Sequence, residues 1–279
     1  MADYLRPTSL DDALAALADR PWTMLAGGTD VYPANVGHPI PDDILDVTGL
    51  PSLREISVAD DGLVRIPALA TWTDVVRAQL SPAFDGLKTA ARSIGGVQIQ
   101  NRGTLAGNLC NASPAADGLP NLMALDATVE LSSARGRREI AVREFVIGNR
   151  RTIRRADELV TAILVPEPSP TARSTFLKLG TRAYLVISIA SVAAVVDVGA
   201  DGRVASAWVV VGACSEVPRR IEAAEARLVG EVAAPSLAAA IEATDLAVLA
   251  PIDDVRGTAD YRRDVAVSLV RRAVSELLA

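Results

Sequence analysis

Leu10, Ala13, Leu14 and Leu17 recur at helical spacing behind Ser9-Leu10-Asp11-Asp12, which has the form of a capping box. A first helix is therefore expected to run to about Asp19. Thr23-Met24-Leu25 and Ile44-Leu45-Asp46-Val47 are short strand signals separated by a Pro-rich loop. Arg54–Val58 and Leu63–Ile66 flank Asp60-Asp61-Gly62, a turn whose glycine admits positive φ, so a hairpin is expected. Thr71-Trp72-Thr73-Asp74 caps a helix to about Gln79, and a helical stretch through Leu87, Ala90 and Ala91 stops at Gly95-Gly96.

Farther along, Pro120–Leu125 is short and apolar. Ala127–Leu131 and Arg138–Ala141 read as a hairpin around Arg135-Gly136, and Leu159–Val165 reads as a buried strand. Pro166-Glu167-Pro168-Ser169-Pro170 then breaks the chain and is the best domain boundary in it. Beyond it, Phe176–Leu179, Val186–Val198 and Ala207–Val211, with a turn at Asp201-Gly202, predict a small antiparallel sheet. Helical patterns over Ile221–Leu228, Ser236–Leu246 and Tyr261–Leu278 follow.

Half of the 279 residues are hydrophobic, ample for a buried core. The balance of 28 basic and 34 acidic residues gives a formal charge of -6, with no electrostatic footprint for nucleic acid. The pairs Arg150-Arg151 and Arg154-Arg155 read as a solvated turn. No leader or membrane span is apparent, so a cytoplasmic protein is expected. Two distant cysteines, Cys110 and Cys214, and one histidine, His38, make neither an iron–sulfur nor another metal site. The cysteines read as small buried hydrophobes and His38 as a loop residue.

Two glycine-rich stretches carry the chemistry: Leu25-Ala26-Gly27-Gly28-Thr29-Asp30-Val31, at a strand end, and Thr104–Asp117, expected to be a loop reached from a helix end. Both suit close approach of backbone amides to an oxygen-rich ligand. The dinucleotide motif G-x-G-x-x-G and a phosphate-loop lysine are missing, and Pro33 discourages a long helix after the first stretch. What remains is a nest of amides with hydroxyls from Thr29 and Thr104, without a cationic clamp, suited to a pyrophosphate. Asp117 is better matched to ribose hydroxyls than to phosphate, which points to a dinucleotide.

Ala26-Gly27-Gly28-Thr29-Asp30, the Thr104–Asp117 stretch and the tail Asp254-Val255-Arg256-Gly257-Thr258-Ala259-Asp260-Tyr261-Arg262-Arg263 together resemble the FAD-binding medium subunit of molybdenum hydroxylases, over essentially the whole chain. The resemblance implies an α+β fold. Its FAD-binding domain would be of the vanillyl-alcohol-oxidase (PCMH) type with two subdomains, 1–57 and 58–170. A C-terminal domain, 171–279, would carry a three-stranded antiparallel sheet and a helical bundle.

Carried over by motif, Met24, Leu25, Ala26, Gly27, Gly28, Thr29, Asp30 and Val31 would line the pyrophosphate and adjacent parts of FAD. Thr104, Gly107 and Asn108 would approach from the other subdomain, with Ser113 and Ala116 in the same stretch, and Asp117 would bind the ribose. Ile94 and Gly95 would border the flavin, Leu164 would sit on the adenine side, and Lys178 would reach the isoalloxazine end. Tyr184 would either cover the ring or pack in the core. The family's Gly-Gly-Asn is Ala106-Gly107-Asn108 here, one methyl group larger.

The resemblance further implies noncovalent FAD in this chain, with molybdopterin and [2Fe-2S] clusters only in partners. Those would be a large molybdopterin subunit and a small two-cluster iron–sulfur subunit, in a dimer of heterotrimers. The chain would relay electrons from the partner clusters through FAD to an external acceptor, with no catalytic side chain of its own. The competing readings are a self-sufficient flavin oxidase or reductase of the same superfamily, and a flavin-free scaffold.

Overall fold

The computed structural model describes residues 3–40 and 43–279. Met1 and Ala2 of the amino-terminal segment, and Pro41 and Asp42 of the Pro-rich loop, lie outside the described residues.

Ser9 caps the first helix, Leu10–Asp19, by accepting from the Asp12 amide, and Ala13, Leu14 and Leu17 form its buried face. The helix connects two strands of a small parallel sheet in the order Tyr4–Leu5, Ile44–Asp46, Thr23–Leu25. An edge strand, Thr23–Leu25, therefore delivers the first glycine stretch. Pro33 allows only the single turn Val31–Ala34 after it.

A five-stranded antiparallel sheet follows, in the order Ser57–Val58, Val64–Pro67, Leu159–Val165, Thr128–Ser133, Gly136–Ala141. The expected hairpin turns at Gly62, with φ +79°. Leu159–Val165 occupies the middle of this sheet and is buried along its whole length, which explains its unbroken apolar run. Its one polar residue, Thr161, donates to Glu130, whose carboxylate takes a bidentate pair from Arg65 at 2.7 and 2.9 Å. A buried hydroxyl and carboxylate thus satisfy each other.

Beyond the prolines, Arg173–Leu179, Ala190–Val198 and Val204–Gly212 form the expected antiparallel meander, extended by a two-residue fourth strand, Arg219–Arg220. The middle strand begins at Ala190 rather than Val186, leaving 180–189 as a loop. Tyr261–Leu278 is helical as Ala259–Leu277 and packs on this sheet. Ser236–Leu246 is not one helix but two 3-10 turns, Pro235–Ala240 and Ala243–Leu246. Glu242 restarts the chain there with its own capping box to Asp245, so one α-helix cannot run through.

The two halves meet on a small apolar seam of Ala90, Ala124, Phe176, Ala193 and Val210. Gly86 lets helix Asp85–Ser93 lie close to strand Arg173–Leu179: its amide donates to Ser174 Oγ at 2.8 Å, and a Cβ there would stand 2.9 Å from the Thr175 carbonyl oxygen.

Candidate functional site

The first glycine stretch leaves its strand with Gly28 at φ +71°, a left-handed conformation that suits glycine. A Cβ on Gly28 would lie 2.4 Å from the Tyr32 ring, and one on Gly27 would lie 1.9 Å from the Arg102 carbonyl oxygen. The stretch is therefore pressed against the Arg102-Gly103 turn that leads into the second one, and Thr29 Oγ1 faces Gly103. Among the described residues, no acceptor takes the amides of Gly27, Gly28, Thr29 or Asp30. Four consecutive amides around the buried Gly28 are thus left without a partner among the described residues, and such donors are available to an anion.

The second stretch departs from the expected loop. Leu105–Asn111 is an α-helix capped by Thr104, whose Oγ1 accepts from the Gly107 amide at 2.9 Å. Thr104 is 5% exposed, so its oxygen supports the helix instead of reaching a ligand, and the Gly107 amide is likewise occupied. Ala106 turns its methyl group into the core, so the extra carbon does not face the site. The helix ends at Ala112 with φ +49°, and Ser113–Asp117 follows. A further helix, Gly118–Ala124, contains the short apolar stretch expected from Pro120.

An open cleft lies between the halves. Ile94, Gly95, Asn108, Ser113, Ala116, Asp117 and Lys178 line it, joined by Ser93, Ala115, Val186 and Ile187, which sequence reasoning missed. Gly95 adopts φ +55° against Ile99, so a side chain there would be strained and obstructed. Asn108 Oδ1 is buried and has no hydrogen-bond partner among the described residues.

Asp117 and Lys178 do not mark opposite ends of the site. Lys178 Nζ donates to Asp117 Oδ2 at 2.7 Å and to the Val186 carbonyl at 3.2 Å, while Ser188 Oγ donates to Asp117 Oδ1 at 2.5 Å. Both carboxylate oxygens are thus engaged by the second half, and Asp117 joins the halves rather than standing free for a ribose. Ser188 went unnoticed because only its position just ahead of strand Ala190–Val198 sets it opposite Asp117.

Met24 and Leu25 lie in the edge strand and pack with Ala26 toward the core, while Val31 opens the short turn behind it. Leu164 stands apart, buried in the five-stranded sheet between Arg65 and Thr128, away from the cleft lining. Tyr184 is 77% exposed on loop 180–189, which excludes core packing. His38 is exposed. Burial pushes the thiols of Cys110 and Cys214 up to about 11, in keeping with small apolar roles.

The Arg150-Arg151 pair is more than a solvated turn. Arg150 Nη1 reaches Asp30 Oδ2 at 3.0 Å and Asn111 Oδ1 at 2.8 Å, so one guanidinium touches both glycine-rich stretches. Arg154 donates to the carbonyls of Arg155 and Glu158, and the Arg155 amide donates to the Glu158 carboxylate. Among the described residues no helix is long and apolar enough to cross a membrane.

Two α+β halves around a cleft, one edged by unpaired amides, define a class of nucleotide-cofactor subunit. Residues 1–168 match the profile of the FAD-binding domain in molybdopterin dehydrogenase, and residues 174–277 that of the CO dehydrogenase flavoprotein C-terminal domain. The chain belongs to the FAD-binding medium subunits of molybdenum hydroxylases, and is an FAD-binding oxidoreductase subunit. It is 34% identical over 250 residues to the nicotinate dehydrogenase FAD-subunit of Eubacterium barkeri, covering 87% of this chain and 83% of that one. It is 30% identical to the putative xanthine dehydrogenase FAD-binding subunit of Escherichia coli K12, covering 100% and 96%. The reconstituted CO dehydrogenase from Oligotropha carboxidovorans superposes with a TM-score of 0.91 at 28% identity, over 100% of this chain and 98% of that one.

Proposed function

We propose that the chain holds one FAD noncovalently along the first glycine-rich stretch and in the adjoining cleft, and that its work is electron relay within a larger assembly. The observation that carries this reading is the row of unpaired amides at Gly27–Asp30, set against the turn that opens the second stretch. Pyrophosphate oxygens match those donors, and a ligand hydroxyl or N–H matches the orphaned Asn108 Oδ1. When bound, FAD supplies the chemistry that converts single-electron delivery into two-electron transfer.

The chain's own residues bind and orient. Gly27–Asp30 present donors, Asn108, Ser113 and Ala116 form one wall, and Ile94 and Gly95 border the opening. Val186 and Ile187 supply an apolar side that excludes water. The titratable groups lining the cleft, Asp117 and Lys178, are engaged with each other, and neither is placed as a free base for an organic substrate. This arrangement favours relay over a self-sufficient oxidase.

We divide the chain into 1–57, 58–170 and 171–279, a reading that the three main sheets support except that strand Ser57–Val58 of the second sheet straddles the first boundary. By relationship, the partners are a large molybdopterin subunit and a small iron–sulfur subunit with two clusters, in a dimer of heterotrimers. The substrate site and the clusters lie in those partners. Purified chain should be yellow and release FAD, with no covalent remainder, on denaturation. A colourless preparation that FAD cannot reconstitute would refute the reading.

A further inference from the structure

Asp30 sets a carboxylate directly after the unpaired amides of Gly27, Gly28 and Thr29. A negative charge there opposes the approach of any phosphate to those donors, unless something neutralises it. Arg150 meets it at 3.0 Å, and the same Nη1 holds Asn111 at 2.8 Å. Asn111 is the last residue of the helix that carries Asn108 into the cleft.

The backbone prepares this contact. Arg150 lies at the tip of the two-stranded hairpin Val146–Gly148 and Arg151–Thr152, with φ +54°, and its amide donates to the carbonyl of Ala112 at 2.9 Å. Ala112 is itself left-handed, at φ +49°. Two non-glycine residues held in a sparsely populated conformation meet at one hydrogen bond, so the surrounding structure fixes the tip against the helix end. From that anchor the side chain spans back to the other stretch.

We infer that Arg150 is a positioning residue for FAD: it braces the two glycine-rich stretches across the site and cancels the charge of Asp30 beside the phosphate-binding amides. The inference rests on the FAD reading above. Both contacts come from the one nitrogen Nη1, each through its own N–H, so an ammonium held at that point would serve them too, and the guanidinium adds a fixed planar direction. The Asp30–Arg150 pair is half-exposed, with side chains 48% and 61% accessible, so the expected effect is on ligand retention and not on folding.

The test is FAD affinity of the stripped and reconstituted full chain, measured by flavin fluorescence, together with the thermal midpoint of the flavin-free form. R150M should raise the FAD dissociation constant about 5- to 10-fold while leaving the flavin-free midpoint within about 2 °C of wild type. R150K should recover part of the loss. D30N should bind at least as tightly as wild type and remove most of the R150M defect when combined with it, since the charge to be cancelled is gone. An R150M chain that binds FAD as tightly as a competent wild type overturns the brace and leaves the FAD reading standing. R150M and D30N defects that simply add overturn the charge-cancelling role. A wild-type chain that never takes up FAD overturns both readings together.

Discussion

At the scale of single residues, Asp117 has the largest burden. Its pair with Lys178 leaves the two side chains only 7% and 14% exposed, and Ser188 occupies the other carboxylate oxygen. Removing one member of such a pair strands the other charge away from water. Asp117→Ala is therefore expected to destabilise folding by about 3 to 5 kcal/mol and to loosen flavin retention as well. Urea denaturation of the flavin-free chain checks it; a loss below about 1 kcal/mol would show that the bridge is solvated.

Residue type announced Asp117 and the family resemblance Lys178, but nothing announced that they touch, because one precedes the proline break and the other follows it. Arg150 was invisible for a related reason: what singles it out is a positive φ and two distant acceptors, neither of which leaves a mark on local sequence. Leu164, carried over by motif, lies in the middle strand of the five-stranded sheet between Arg65 and Thr128, a placement that strand pairing sets and local sequence does not display. At Gly28 the obstacle to a larger residue is the strained φ and the Tyr32 ring, an intramolecular reason beside any phosphate.

At the scale of elements, caps were legible and poor helix formers were not. Ser9 and Thr71 both accept from the residue three positions on, as their sequences indicate, and Thr71 completes a capping box with Asp74. Leu105–Asn111 contains Gly107, Asn108 and Asn111, all weak in helices, and so reads as a loop. Thr104 capping and the burial of Leu105 and Leu109 override that propensity. Thr104→Val keeps the shape but orphans the Gly107 amide. The expected cost is about 1 kcal/mol of stability with weaker FAD retention, since Asn108 rides on this helix. Equal stability and equal retention in the variant would show that packing alone holds it.

At the scale of the molecule, acid is the expected weak point. Hydrogen bonding from Arg65 holds the Glu130 carboxyl below its ordinary value of 4.5, against the opposing effect of burial. At Glu158 burial pushes upward, yet hydrogen bonds and charge from Arg138, with the Arg155 amide, outweigh it and lower the carboxyl as well. A depressed folded value means that the unfolded chain takes up protons first. Both pairs contribute fully above pH 4.5, and that contribution is lost as pH falls below it through the folded values. The thermal midpoint should drop in that window, less steeply in a chain carrying E130Q and E158Q; identical slopes would assign the acid loss to other groups.

The Asp117–Lys178 contact also has a consequence in time. One side of the cleft comes from the first half and the other from the second, and Ser188 is followed by Ile189, whose carbonyl accepts from Arg262 of the long helix Ala259–Leu277. During synthesis that helix emerges after every element that lines the cleft. A nascent first half can complete its own sheets and core, yet the cavity has no second wall until the later half docks. Closure of the cleft is therefore expected to follow synthesis of the second half, whose loop 180–189 is tied to the long helix through Ile189 and Arg262.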